Sequence, residues 1–214
     1  MSQLRQALLL CFTGSLLAGC GADAGQIKAL EAEFDRAYRR LYEPSFHLAA
    51  PIELERWDSL LRTYRLRLEE MPPKRSPAAR QAWNNLVQRL RILKQQIDAY
   101  RHSPALYHVG GKLQVLLHAD TFPPAEKARR LLQILQQTPA YYRQAAENLG
   151  PVSPGEAQRC VQKQAAGIAL LQTAVLDTLL ALAPSDSLRS KALTQAAAKH
   201  LRVFKKACER QAHE

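Results

Sequence analysis

Apolar residues recur at spacings of three and four along most of the 214-residue chain, and proline or glycine interrupts each run. Residues with this spacing share one face of an α-helix, so each run predicts an amphipathic helix. The runs cover residues 25–42, 57–71, 83–100, 124–137, 139–149, 161–182 and 188–208. No alternating run of useful length predicts a strand. The fold class is therefore all-α, an antiparallel helical bundle of about seven helices that ends in a long helical hairpin.

Two interruptions are predicted from local signals. Gly110-Gly111 indicates a turn, because adjacent glycines are common where a helix breaks. Thr138-Pro139 resembles an N-cap residue followed by proline at the first helical position. A new short helix is therefore expected to begin there and to run to Leu149.

The two C-terminal runs are joined by Ala183-Pro184-Ser185-Asp186, and such a short connection makes neighbouring helices antiparallel. Cys160 and Cys208 lie at similar distances before and after this turn, so they are expected at the same open end of the hairpin. A disulfide between them is possible if their side chains face each other. It would close a loop of nearly fifty residues and stabilise the fold by roughly 3–4 kcal/mol. The alternative is a pair of half-buried helical cysteines.

The first twenty residues resemble the leader of a bacterial lipoprotein. Arg5 is followed by an apolar stretch over 7–17, which is too short to span a bilayer, and Leu17-Ala18-Gly19-Cys20 is similar to a lipobox. The resemblance implies cleavage between Gly19 and Cys20, a lipid on the Cys20 thiol, and an acyl chain such as palmitate on the new amino terminus. The alternative is an ordinary cleaved signal peptide in which Cys20 is incidental.

This leader predicts three segments: a lipoprotein signal peptide over 1–19, a lipidated N-terminus with a short tether over 20–24, and a single helical domain over 25–214. The membrane is the predicted partner through the anchor at Cys20. Gly21, where a retained lipoprotein has Asp, implies by the same resemblance the periplasmic face of the outer membrane.

The chain is basic, with 30 Lys and Arg against 19 Asp and Glu and a formal net charge of +11. An exported protein meets anionic lipid headgroups and acidic envelope polymers rather than nucleic acid, so no nucleic-acid partner is predicted. The densest basic stretch consists of Lys199, Arg202, Lys205, Lys206 and Arg210. The alternative is an arginine-rich helical surface that is simply solvated.

A string of short motifs carries a more specific resemblance. It runs through residues 100–107, Gly110-Gly111, 116–124, 128–132, 138–141 and 145–149. These segments resemble the N-terminal helical half of the bacterial domain-of-unknown-function 885 family, and the similarity covers about residues 45–212. Full-length members resemble zincin-type metallopeptidases whose zinc motif lies in the C-terminal half. That motif is not present in this chain, so the resemblance implies no catalytic residue here.

No catalytic motif is found in the sequence. The six histidines lie at positions 47, 102, 108, 118, 200 and 213, and no pair has the four-residue spacing with an intervening Glu that a zinc peptidase needs. No serine lies in a Gly-x-Ser-x-Gly elbow. The chain is therefore predicted not to be an enzyme, and to have no cofactor and no metal site.

The predicted function is a non-catalytic binding or scaffolding module anchored to the outer membrane, with a protein partner in the envelope as one possibility. Two alternatives stay open. The chain could be a helical subunit or remnant of a zinc-peptidase-like protein whose catalytic half is on a separate chain. It could also be a basic module that binds an anionic envelope lipid or polymer.

Overall fold

The computed structural model of the protein describes residues 24–43, 50–71 and 76–211. The helices are α1 (24–43), α2 (Leu54–Glu69), α3 (Pro77–His102), α4 (Val109–His118), α5 (Pro124–Asn148), α6 (Pro154–Leu182) and α7 (Ser187–Gln211). Short 3-10 turns lie at Pro104–Leu106 and Pro184–Asp186, and the described ranges contain no strand. The all-α fold with about seven helices and a terminal hairpin is therefore confirmed.

One compact unit contains α1 as far as Arg40, α2 from Glu55, and α3 as far as Gln95. Its core is built from one apolar stripe on each helix, and the ring of Phe34 packs edge-on against that of Tyr64 with centroids 5.3 Å apart. The buried stripe residues are Ile27, Leu30, Phe34, Trp57, Tyr64, Leu68, Leu86, Leu90 and Leu93. These are the stripes that the three-and-four spacing predicts, so local periodicity accounts for this unit.

The second compact unit contains residues 41–54 and the chain from Gln96 onward. Here α5, α6 and α7 pack together, and α4 packs on α5 and α6. The fully buried side chains include Leu131 and Leu135 of α5, Leu171 and Leu179 of α6, and Phe204 of α7. The sequence predicts a single helical domain over 25–214. Compactness does not test that, and it stays a prediction.

The predicted turn at Gly110-Gly111 is wrong, since both glycines lie in the first turn of α4. A Cβ atom at Gly110 would lie 2.8 Å from the Gly167 Cα atom, so the two backbones approach too closely for any side chain. Gly110 therefore serves the packing of α4 on α6, while a Cβ atom at Gly111 would meet the His108 ring at 2.7 Å.

The predicted helix start at Thr138-Pro139 is also wrong, because α5 continues through Pro139 to Asn148. Proline in a helix interior removes one backbone hydrogen bond and costs about 3 kcal/mol. The Thr138 hydroxyl donates to the Ile134 carbonyl oxygen at 2.8 Å, which gives a carbonyl of the preceding turn a partner. Beyond the proline, Tyr141, Tyr142 and Ala145 remain buried, and their burial holds the helix together.

The first half of α6 buries a different face than the apolar spacing predicts. The three-and-four spacing predicts one buried stripe of Val161, Ala165, Ile168, Leu171, Val175, Leu179 and Leu182 on this helix. Leu171, Val175 and Leu179 are buried, but Val161, Ala165 and Ile168 are half-buried or exposed. The buried residues of this part of α6 are instead Ala157, Cys160, Gln164 and Gly167. A π-helical turn at Leu171–Val175 follows, and both of its terminal residues are buried. Leu188 of α7 was likewise expected in the core and is 83% exposed.

Candidate binding surface

Buried polar side chains meet where α4, α5 and α6 pack together. The Gln164 amide nitrogen donates to the Tyr107 carbonyl oxygen at 2.7 Å, and the Tyr142 hydroxyl donates to the Gln164 side-chain oxygen at 2.6 Å. The Val109 amide donates to the Tyr142 hydroxyl at 3.4 Å. A buried amide that uses both its donor and its acceptor stabilises a single packing arrangement.

Two further contacts connect this cluster to the preceding segment. The Asn148 amide donates to the Ile52 carbonyl oxygen at 2.5 Å and to the Tyr107 hydroxyl at 3.0 Å. The ring centroids of Tyr107 and Tyr141 are 5.9 Å apart. Burial raises the pKa of the Tyr107 and Tyr142 hydroxyls far above that of free tyrosine, so both remain protonated. The hydrogen bonds of this cluster all join groups of the chain itself, so the cluster stabilises the packing of α4, α5 and α6.

Three basic side chains lie near this centre. Burial lowers the pKa of His108, and the charge of Lys163 lowers it further. Burial also lowers the pKa of Lys112 to about 8, and its ammonium nitrogen lies 5.1 Å from the centroid of the Tyr141 ring. The Lys163 ammonium donates to the Ala105 carbonyl oxygen at 3.2 Å. Cation–π and carbonyl contacts of this kind hold the lysine side chains in place.

The described part of the chain brings no three His, Cys, Asp or Glu side chains together as a metal site. His47 and His213 lie outside the described residues, as do Gly19 and Cys20 of the predicted lipobox. His102 and His118 each bond a backbone carbonyl through Nδ1, at 2.9 and 2.8 Å respectively. The His118 ring bonds its own helix at Gln114, while the His102 ring bonds Pro151 in the loop before α6.

Cys160 and Cys208 are joined by a disulfide between α6 and α7, with their Cα atoms 6.4 Å apart. Both residues are fully buried. The bond lies toward the open end of the hairpin and joins two cysteines that are 48 residues apart in sequence. Oxidation of the two thiols in the native protein stays a prediction.

The exposed face of α7 carries an unusual concentration of positive charge. The helix contains seven Lys and Arg and one Glu, a net charge of +6 within 25 residues. At 100° per residue, six of these cations fall within about 160° of the helix circumference on the side away from the core. We call this set the cationic arc: Arg189, Lys191, Lys199, Arg202, Lys206 and Arg210.

Among the described residues, carboxylates pair with cations outside this arc. Arg67 bonds Glu33 at 2.6 Å, Arg130 bonds Glu126 at 2.6 Å, and Arg159 bonds Glu156 at 2.7 Å. Glu209, the one acid of α7, bonds Lys205 at 2.5 Å. No carboxylate in the described ranges pairs with a residue of the cationic arc.

The basic stretch seen in the sequence differs from this arc in two ways. Lys205 faces the flank of α7 and is neutralised by Glu209, so it is not part of the arc. Arg189 and Lys191 belong to the arc although they lie outside the dense stretch. The sequence contains a signal for this arc. Lys191, Lys199, Arg202 and Lys206 recur at spacings that place them on one face of a helix.

An uncharged strip of α6 lies beside the cationic arc. We call it the uncharged row, and it consists of Val161, Ala165, Ile168, Ala169, Gln172 and Leu176. A groove of about 420 Å³ separates it from α7, with Gln172 and Leu176 on one side and Lys191 and Arg202 on the other. A second groove of about 640 Å³, lined by Val161, Lys206 and Arg210, lies toward the open end of the hairpin. We refer to the arc and the row together as the hairpin face.

Among the described residues, one helix is long and apolar enough to cross a membrane by length and composition, and it is α6. Its most apolar 18-residue window has a mean hydropathy of 1.8, and 22% of that window is buried. Core helices of soluble proteins pass the same test, and α6 is packed on α7 and bonded to it. The low buried fraction means that much of this apolar surface faces outward.

Comparison with known proteins gives one fold relationship. No family model matches the chain, so the resemblance to the domain-of-unknown-function 885 family gains no support there. No curated protein matches it either. A solved structure from Shewanella oneidensis, assigned as a lipoprotein of unknown function, aligns over 87% of this chain with a TM-score of 0.65 and 13% identity. This chain spans 38% of the length of that protein. The similarity shows a shared helical fold.

Proposed function

We propose that the chain is a lipid-anchored, non-catalytic binding module of the bacterial cell envelope, and that the cationic arc binds an anionic partner. The arc carries this proposal. Six exposed cations without a described carboxylate partner hold a positive potential that the paired cations elsewhere do not. Such a surface attracts and orients anionic partners.

The anchor rests on the lipobox at Leu17-Ala18-Gly19-Cys20. The Shewanella protein of similar fold, itself assigned as a lipoprotein, supports a place in the cell envelope. Gly21 favours the periplasmic face of the outer membrane. The test is metabolic labelling with palmitate followed by density separation of inner and outer membranes. The natural chain should be labelled in the outer fraction, and the Cys20→Ala variant should not be labelled. Equal labelling of both would contradict the anchor.

The binding surface is tested with the mature chain carrying Ser in place of Cys20, which contains every described residue. The probe is immobilised dextran sulfate. The triple variant Lys199→Gln, Arg202→Gln, Lys206→Gln should elute at a lower salt concentration than the parent, because each lost cation removes an ion contact. The matched control removes three exposed cations of the other unit, Arg62→Gln, Arg80→Gln and Arg91→Gln. Equal elution of the two variants would contradict the arc as the binding surface.

The non-catalytic part of the proposal is supported by the internally satisfied Tyr107–Gln164 centre. Purified chain should show no zinc-dependent peptidase activity above a chelator-treated blank. Activity that copurifies with the chain and disappears with chelator would overturn it.

A second candidate is the helical part of a zinc-peptidase-like assembly whose catalytic half is a separate chain. It is favoured by the greater length of the Shewanella protein, of which this chain spans 38%. The test mixes the purified chain with a candidate polypeptide that carries a His-Glu zinc motif. Formation of a stoichiometric complex with metal-dependent peptidase activity would support this candidate, and separate elution of the two would exclude that polypeptide.

A further inference from the structure

We propose that the hairpin face binds the surface of an anionic phospholipid bilayer, with the cationic arc at the phosphate groups and the uncharged row toward the acyl chains. This inference rests on the proposed function, since it names the anionic partner of the same surface. It gives the molecule a second membrane contact in addition to the lipid at Cys20.

The charge distribution fits a bilayer. From Arg189 to Arg210 the arc runs for about 30 Å along α7, at 1.5 Å per residue. A row of that length spans several lipid headgroups, and each Lys or Arg near an anionic surface adds a favourable contribution.

Exposed aliphatic side chains on the same face favour a bilayer over a soluble polymer. Leu188 is 83% exposed and Val203 is 57% exposed, and both lie within the angular range of the arc. A solvated polyanion gains nothing from aliphatic side chains, whereas the boundary between headgroups and acyl chains buries them. The exposed apolar surface of α6 beside the arc adds to the same contact.

The grooves between α6 and α7 have the same mixed character. Leu176 lies on the α6 side of the 420 Å³ groove, while Lys191, Ala198 and Arg202 lie on the α7 side. A helix that binds in the membrane interface needs an apolar side and a cationic side next to each other. The disulfide between Cys160 and Cys208 holds the two helices that supply them in one register.

The experiment is cosedimentation of the mature chain, with Ser in place of Cys20, with vesicles of phosphatidylcholine alone or with 30% phosphatidylglycerol. The chain should bind the anionic vesicles at low salt and remain in solution with phosphatidylcholine alone. The triple variant Lys199→Gln, Arg202→Gln, Lys206→Gln should bind the anionic vesicles about 100-fold more weakly. The double variant Leu188→Ser, Val203→Ser should bind them about tenfold more weakly. The matched apolar control is Leu66→Ser, Ile92→Ser, which removes exposed aliphatic side chains of the other unit and should bind as the parent does.

Binding to dextran sulfate distinguishes a failure of this inference from a failure of the proposed function. The Leu188→Ser, Val203→Ser variant should bind dextran sulfate as tightly as the parent, because aliphatic side chains do not contribute to that contact. If it also binds anionic vesicles as tightly as the parent, the bilayer inference is overturned while the anionic partner stands. If the parent binds neither vesicles nor dextran sulfate, both the inference and the proposed function are overturned.

Discussion

Gly110 and Gly167 lie face to face where α4 packs on α6, and a side chain at Gly110 would separate the two backbones. A methyl group at Gly110 would meet the Gly167 Cα atom at 2.8 Å, and backbone atoms cannot move aside as a flexible side chain can. We therefore expect Gly110→Ala to lower the free energy of unfolding by about 1–3 kcal/mol. Chemical denaturation followed by circular dichroism measures the change.

The matched control is Gly155→Ala in the first turn of α6, where an added Cβ meets nothing within 4 Å. There the substitution restricts the unfolded chain without a clash, so stability should rise by about 0.4–1 kcal/mol. Opposite signs at the two positions are the expected result. A Gly110→Ala protein as stable as the parent would show that α4 can move away from α6.

Lys112 is predicted to make the stability of the protein depend on pH. Burial lowers its pKa to about 8 in the folded chain, whereas an unfolded chain has the ordinary lysine pKa of about 10.4. Between these values the unfolded state binds more protons, so stability rises with pH, and below about pH 8 both states are charged and the slope disappears. Thermal unfolding at pH 7.5 and 9.5 should show this rise in the parent. Lys112→Met should abolish it, while the exposed Lys199→Met should retain it.

At the scale of elements, the disulfide between α6 and α7 connects residues that are 48 apart in sequence. A cross-link over a loop of this length restricts the unfolded chain, so replacing both cysteines by alanine should cost about 3–4 kcal/mol. The parent protein in reducing agent should lose a similar amount. A thiol titration of unreduced protein that finds free thiols at both positions would contradict the bond.

At the scale of the whole molecule, the two compact units are expected to unfold together. The chain passes between them after Arg40, Leu54 and Gln95, and the last of these crossings lies inside the unbroken helix α3. Both tryptophans, Trp57 and Trp83, belong to the first unit, so their fluorescence reports that unit alone. Fluorescence and far-ultraviolet circular dichroism should give coincident urea transitions. Separate midpoints would show two domains, against the single domain predicted from the sequence.

The sequence by itself determined the helical architecture, the apolar stripes of α1 to α3 and the antiparallel C-terminal hairpin. These features follow from the spacing of the apolar residues, because the α-helix is the regular backbone that places residues three and four apart on one face. Charge was also readable, since α7 carries its excess of Lys and Arg in one continuous segment.

Only the tertiary structure decided which face of α6 is buried and whether the chain breaks at Gly110 and Pro139. Gln164 is buried because Tyr107 and Tyr142 supply its hydrogen-bond partners, and Gly110 is helical because Gly167 lies against it. Pro139 lies inside α5 because Tyr141, Tyr142 and Ala145 beyond it pack into the core. Each of these outcomes depends on contacts between residues on different helices. The spacing within one helix does not contain those contacts, because they form only when the helices pack.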